Sequence, residues 1–76
     1  MIRIDLKLFV TLSQYHPGGG GFHEIEAGTT VAGMIRDLGI PEGTVKLIFI
    51  NGKKAPLERV ICEGDRVGLF PPVGGG

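Results

Sequence analysis

The chain has 76 residues, of which 42% are hydrophobic, and its eight basic residues balance its eight acidic residues. A chain of this length forms one domain and buries roughly 60% of the surface that its unfolded form exposes, which leaves little room for a deep catalytic pocket. The balanced charge gives no electrostatic basis for binding nucleic acid or an anionic membrane. The single cysteine excludes a disulfide framework. No stretch approaches the ~20 apolar residues of a membrane span, and the first residues do not resemble a signal peptide, so we expect a cytoplasmic protein.

The first third of the chain predicts two strands. Apolar residues alternate with other residues over residues 2–10, which is the period of a strand with one buried face. Residues 11–15 predict a short helical turn. Residues 16–21 predict a loop, because consecutive glycines do not hold regular structure. Residues 22–27 predict a second strand that pairs back on the first.

The middle of the chain predicts one short helix. Between Val31 and Leu38, apolar residues recur at the spacing of one helical face. Thr29 or Thr30 is placed to cap the helix, since its hydroxyl accepts a hydrogen bond from an unpaired helix N–H. Gly39 and the proline that follows are expected to end it.

The second half of the chain predicts three more strands. Residues 45–50 are almost all apolar, as in a central strand, and Asn51-Gly52 is a strong hairpin signal. A short return strand is expected at residues 53–55 and a last strand at residues 66–70. The order predicts an α+β fold in which one helix packs on one face of a mixed sheet of four to five strands. With the first and last strands side by side at the centre, this is the β-grasp (ubiquitin-like) arrangement.

The chain ends in a tail with the sequence Phe70-Pro71-Pro72-Val73-Gly74-Gly75-Gly76. Glycine has no Cβ, so a terminal carboxylate on such a tail can be threaded through a narrow channel. The two prolines favour an extended path, and residues 71–76 span roughly 20 Å at ~3.3–3.6 Å each. We therefore divide the chain into a domain at 1–70 and a flexible reactive tail at 71–76. The alternative is an incidental disordered end. Residues after Val73 are expected to be mobile in the unbound protein.

Three segments of the chain resemble the ubiquitin-like sulfur carriers, and most closely the small subunit of molybdopterin synthase. They are residues 45–52, 63–67 and 70–76. The most specific part runs from Gly64 to Gly76: an acidic turn, one apolar strand, Phe-Pro-Pro and a terminal Gly-Gly. Two features depart from the family pattern, namely Gly74, where a different small residue is common, and the glycine-rich loop at residues 18–21.

The resemblance implies a carrier that is not itself an enzyme. A ubiquitin-activating-type adenylyltransferase would use ATP to adenylate the carboxylate of Gly76. A persulfide donor would then convert the adenylate into a thiocarboxylate. The carrier would deliver this sulfur to a pterin precursor held by a large molybdopterin synthase-type subunit. The chain itself would bind no cofactor, and its tail would be recognised through Gly75, Gly74, Val73, Pro72 and Pro71.

Other functions remain open at this stage. A carrier for thiazole synthesis in thiamine biosynthesis shares the fold and the glycines, although Phe-Pro-Pro argues against it. A protein modifier joined to lysines through Gly76 is a second alternative, and a plain interaction domain is a third. Whether the finished cofactor would contain molybdenum or tungsten also stays open.

A partner surface is predicted from strand phase. Phe9, Ile48 and Phe70 each fall out of phase with the apolar residues expected to be buried in their strands. All three are therefore predicted to lie on the sheet face away from the helix, where an exposed apolar patch usually marks a binding surface. The alternative is that Phe9 or Phe70 folds over an edge into the core.

The remaining candidates favour structural interpretations. Cys62 is expected to be a small buried hydrophobe. His16 and His23 lack further ligands at metal-binding spacing, so no metal site is expected. The glycine loop lacks the Gly-Lys-Ser/Thr ending of a phosphate-binding loop. Four basic residues of the second half predict a solvated face, with docking of acidic partner residues as the alternative: Lys53, Lys54, Arg59 and Arg66.

Overall fold

Five strands and one α-helix make up the fold of the computed structural model, which describes residues 1–16, 21–41 and 43–72. The strands are β1 (Ile2–Leu8), β2 (Gly21–Ile25), β3 (Leu47–Ile50), β4 (Lys53–Lys54) and β5 (Arg66–Phe70), with helix α1 at Val31–Asp37. A 3₁₀ helix, Val10–Tyr15, follows β1. The predictions made for Val73, Gly74, Gly75 and Gly76, and for residues 18–20 of the glycine loop, lie outside the described residues.

The sheet has the strand order β2-β1-β5-β3-β4. β1 and β5 are parallel neighbours at its centre, and the other adjacent pairs are antiparallel. This confirms the predicted mixed sheet with the first and last strands side by side. Because β1 and β5 run in the same direction, the segment that follows β5 leaves the sheet at the end where β1 also finishes.

The core fills the space between one sheet face and α1. In β1, the alternating residues Ile4, Leu6 and Leu8 are buried, and α1 contributes Val31 and Met34. Burying such side chains is the main stabilising term in a domain of this size, at ~1.5–3 kcal/mol each. The rest of the buried apolar set is Leu12, Ile25, Ile40, Ile50, Ile61, Val67 and Leu69.

Two tight reversals depend on positive φ angles. Asn51 and Gly52 have φ of 54° and 83°, the combination that a two-residue hairpin turn requires, so the predicted Asn-Gly turn between β3 and β4 is confirmed. Val10 has φ of 55°, which costs a β-branched residue ~1–3 kcal/mol. This reversal ends β1 at Leu8, two residues earlier than the alternation predicted.

Helix α1 begins at a hydrogen-bonded cap and ends at a glycine. Thr30 Oγ1 accepts from the N–H of Gly33 at 3.1 Å, so Thr30, one of the two predicted candidates, is the N-cap. The N–H groups of Val31 and Ala32 donate to carbonyl groups of the segment at residues 57–61. Gly39, with φ of 78°, follows the C-cap and ends the helix as predicted.

Candidate functional site

Three phenylalanines form an aromatic cluster on the sheet face opposite α1. The rings of Phe9 and Phe70 stack at 4.2 Å between centroids and 3° between planes. Phe49 meets Phe70 edge-on at 5.7 Å and 85°. Both arrangements are favourable for aromatic pairs. Phe9 remains 36% exposed, so the cluster offers apolar surface to solvent.

Strand register explains why these rings converge. Side chains paired across neighbouring strands share a face. Gly68 of β5 is paired with Lys7 of β1 on one side and with Phe49 of β3 on the other. Phe70 lies two residues beyond Gly68, and Phe9 lies two residues beyond Lys7. The missing side chain at Gly68 leaves the space over which the Phe9 ring lies.

The aromatic cluster lines a cleft of about 370 Å³ that opens on the sheet face. Lys7, Arg66 and Asp5 border it, so the rim carries two positive charges and one negative charge. An apolar cleft with a charged border suits a protruding apolar side chain of another protein. The predicted open-face positions of Phe9 and Phe70 are therefore confirmed by the structure, whereas their role in partner binding stays a prediction.

The predicted position of Ile48 is wrong. Register pairs Ile48 with Leu69, which is fully buried, and Ile48 packs against the core. Phe49, the next residue along, has the open-face position instead. All four residues of β3, at 47–50, are apolar, so the pattern within the strand did not determine which alternate residues face outward.

A residue no larger than alanine is predicted to be needed at position 68 for the stacking of Phe9 on Phe70. A Cβ at this position would lie 3.4 Å from Phe9 Cε2, which is ordinary contact, so Gly68→Ala should leave the ring pair in place. Gly68→Val adds branches that displace Phe9. We expect ring-current shifts of the Phe9 and Phe70 protons to disappear in the valine variant only. Retention of these shifts in both variants would contradict the close approach.

The residue that precedes β5 anchors the neighbouring turns. Asp65 is a buried carboxylate that accepts hydrogen bonds from Asn51 Nδ2 at 2.9 Å, Arg59 Nη1 at 2.9 Å and the Cys62 N–H at 2.8 Å. Asn51 Oδ1 in turn accepts from the N–H of Arg66. The network ties the β3–β4 turn and the segment before β5 to the start of the strand that carries Phe70.

The Asp65 network predicts a pH-dependent contribution to stability. Burial on its own raises the pKa of Asp65, but the bonds from Cys62, Arg59 and Asn51 outweigh it and hold the pKa below its ordinary value. The stabilisation is therefore complete above the unfolded-state pKa of ~3.9 and disappears as pH falls through the lower folded-state pKa. Asp65→Asn should lower the free energy of unfolding by about 2 kcal/mol at neutral pH. It should also weaken the dependence of that free energy on pH in the acid range.

Urea unfolding of the wild type and Asp65→Asn from neutral pH down to the acid transition measures this. Asp37→Asn is a matched control, since Asp37 is exposed on α1 and forms no ion pair with any residue in the described ranges. An Asp65→Asn variant as stable as the Asp37→Asn variant at neutral pH would show that the network contributes nothing.

The tail begins beside the aromatic cluster. Phe70 is the last residue of β5, and its carbonyl accepts a hydrogen bond from the N–H of Lys46 at 2.7 Å. Pro71 is buried and Pro72 is exposed. The chain is thus held by the body up to Pro71, one residue past the predicted domain boundary at residue 70.

The histidines and the cysteine stand apart from this cluster. His16 and His23 have ring centroids 6.3 Å apart, and His16 Nε2 bonds the carbonyl of Leu6 at 3.1 Å. Burial is the main cause that lowers the pKa of His23, and the charge of His16 lowers it further. The charge of Glu24 opposes this shift but is the smaller effect. In the part of the chain that the structure describes, no three His, Cys, Asp or Glu side chains come together as metal ligands. Cys62 is exposed, so the expectation of a buried cysteine is wrong.

The four basic residues of the second half do not form one face. Arg59 pairs with Asp65 at 2.9 Å, whereas Arg66 borders the aromatic cleft. Lys53 and Lys54 form β4 and are exposed. The predicted solvated face is therefore divided, and Arg66 is the member that lies at the cleft.

The family model described as Mut7-C ubiquitin matches residues 2–74. The chain belongs to the Mut7-C ubiquitin family. This agrees with the predicted resemblance to ubiquitin-like sulfur carriers. No curated protein matches the chain.

Solved structures support the same fold. A putative molybdopterin converting factor, subunit 1, from Pyrococcus furiosus is 27% identical, with a TM-score of 0.68 over 96% of this chain and 100% of that one. Small archaeal modifier protein 1 of Haloferax volcanii is 22% identical, with a TM-score of 0.71 over 96% of this chain and 100% of that one. The family member described here thus has the β-grasp fold of ubiquitin-like carriers and modifiers. None of the helices in its described ranges is long and apolar enough to cross a bilayer.

Proposed function

We propose that this chain is a sulfur carrier whose Gly76 carboxylate is converted into a thiocarboxylate for molybdopterin synthesis. The observation that carries the proposal is the junction of β5 with the tail. The chain stays attached to the body through buried Pro71, next to the aromatic cluster, and then continues into a glycine-terminated segment. The similarity to a putative molybdopterin converting factor subunit supports this destination for the sulfur.

The chemistry takes place on the tail and in partner enzymes. A carboxylate oxygen of Gly76 attacks the α-phosphorus of ATP and expels pyrophosphate, which gives an acyl adenylate. A persulfide sulfur then attacks the carbonyl carbon and AMP leaves. A second thiol of the donor cleaves the resulting acyl disulfide, so the donor is oxidised and the carrier keeps a thiocarboxylate. Because the carbonyl is activated by the partner, the carrier needs only an accessible carboxylate on a thin chain.

The body of the carrier supplies recognition. We assign the aromatic cluster as the docking surface for the activating adenylyltransferase and for the large synthase-type subunit, which bind it in turn. Docking at Phe70 would fix the start of the tail, and residues 71–76 then reach roughly 20 Å at ~3.3–3.6 Å each. Docking therefore determines how far the tail extends into the partner, because β5 ends in Phe70 and the tail begins at the next residue.

A protein modifier is the second candidate, favoured by the likeness to a protein named small archaeal modifier protein 1. The two functions share adenylation and differ in the acceptor, which is a persulfide for a carrier and a lysine amine for a modifier. An assay with a ubiquitin-activating-type enzyme, ATP and a persulfide donor separates them. A thiocarboxylate on the purified chain supports the carrier, whereas isopeptide conjugates without thiocarboxylate would reject it.

A further inference from the structure

We propose that the exposed edge of β2 is a second interaction surface, which binds an extended basic segment of another protein as an added strand. This surface is separate from the aromatic cluster and does not depend on the sulfur chemistry. It consists of the β2 edge and the groove between that edge and the end of α1.

The two edges of the sheet differ in how they are protected. The β4 edge is only two residues long, and both are lysines, which natural sheets use to prevent edge pairing. The β2 edge is five residues long and contains neither lysine nor proline. Among the described strands, β2 is paired with β1 alone. The backbone of β2 therefore has one side available for pairing with a further strand.

A groove of about 450 Å³ runs along this edge towards the end of α1. Ile25 and Leu38 supply apolar lining, and three carboxylates surround it, those of Glu24, Glu26 and Asp37. All three acidic residues are exposed. None of them forms an ion pair with a residue in the described ranges, and neither lysine nor arginine lines the groove.

The charge of the groove selects the occupant. His23 also lines it, and burial and the charge of His16 lower its pKa, which disfavours its charged form. Met1 lines the groove as well and Arg3 is the register partner of Glu24, so the three carboxylates outnumber the positive groups beside them. A second copy of this chain is disfavoured, since edge-to-edge pairing would bring two sets of Glu24 and Glu26 together. A strand with lysine or arginine at alternate positions complements Glu24 and Glu26, and its other face can place apolar side chains against Ile25 and Leu38.

A cation–aromatic pair lies on the open sheet face at β2. The guanidinium of Arg3 lies 5.4 Å from the centroid of the Phe22 ring. This stacked pair occupies the open sheet face at β2. Register places Glu24 on this open face as well, opposite Arg3. An added strand would therefore be bound by backbone hydrogen bonds in the plane of the sheet, by its basic side chains on the open face and by its apolar side chains on the helix side.

A nitrogen-15 NMR titration with a short peptide of alternating lysine and valine tests the proposal. We expect amide shifts at residues 21–26 and at the end of α1, and affinity that falls with added salt. Two matched probes separate the contribution of charge from that of backbone hydrogen bonds. The glutamate–valine peptide should not bind, and the lysine–valine peptide with N-methylated backbone should lose binding because it cannot donate to β2.

Protein variants complete the test. Glu24→Lys together with Glu26→Lys should weaken binding about tenfold, whereas Glu58→Lys, at an exposed glutamate outside the groove, should leave it unchanged. Shifts confined to the aromatic cluster would overturn the proposal. Equal binding of the N-methylated peptide, or equal loss in the Glu58→Lys variant, would also overturn it, because binding would then be nonspecific charge attraction.

Discussion

Deletion of Gly76 is expected to abolish sulfur loading while the domain stays folded. The position of the reactive carboxylate is set by the number of residues after Pro71, and one residue fewer withdraws it by ~3.3–3.6 Å. A shift of that size removes the carboxylate from attack distance on the α-phosphorus. The residues that form the core lie at or before position 69, so the melting temperature should not change.

A loading reaction with the activating enzyme, ATP and a persulfide donor, read by intact mass, measures this effect. A variant with one serine added after Gly76 is the matched control for tail length, and it should fail as the deletion does. Pro72→Ala keeps the length and should load at a rate much closer to that of the wild type. Normal loading of the deletion variant would show that the terminal carboxylate position does not control the reaction.

Phe70→Ala is expected to weaken partner binding more than tenfold. Central aromatic anchors often cost more than ~2 kcal/mol on truncation, and Phe70 touches both Phe9 and Phe49. Its ring lies on the open face rather than in the core, so stability should fall by less than the ~3–5 kcal/mol of a core Phe→Ala change. Binding affinities for the partner and urea unfolding of the same variants give the two numbers.

Phe22→Ala is the matched control for that variant. Phe22 is also a phenylalanine on the open face, 71% exposed, but it lies on the edge strand β2 beside Arg3. We expect it to affect neither binding nor stability substantially. If Phe22→Ala weakened binding as much as Phe70→Ala, the docking surface would extend over the whole face. If Phe70→Ala unfolded the domain, the ring would belong to the core.

Much of the fold was predictable because local signals agreed with one another. Alternation identified β1, the Asn51-Gly52 pair identified the β3–β4 turn, and Thr30 and Gly39 delimited α1. A sequence specifies one structure when its local signals, such as alternation, turn residues and helix caps, all favour the same overall fold. The parallel pairing of β1 and β5 followed from the order of elements once one helix had to cover one face.

The site was only partly predictable. In a strand whose residues are all apolar, the sequence does not show which alternate side chains face the core. Phe9 follows β1 and Phe70 ends β5, and the alternation in both strands predicted an outward position, with folding over an edge into the core as the alternative. Ile48 and Phe49 lie in β3, where each residue is at least partly buried on either face. Only the register with β5, which pairs Phe49 with Gly68 and Ile48 with Leu69, distinguishes the two.

The Asp65 network escaped sequence analysis for a different reason. Asp65 was part of an acidic turn, and nothing in its neighbours showed that its carboxylate is buried. Its partners Asn51 and Arg59 are 14 and 6 residues away in sequence. A buried carboxylate needs donors from several segments, and only the packed structure shows which segments supply them.

Intact-mass analysis of the chain isolated from its native cells, together with its sulfur-transfer system, shows whether Gly76 carries a thiocarboxylate. We expect a fraction of the protein to be heavier by the difference between one sulfur and one oxygen atom, with the change located by fragmentation at Gly76. A population that carries only an unmodified carboxylate, or that is joined through Gly76 to lysines of other proteins, would contradict it.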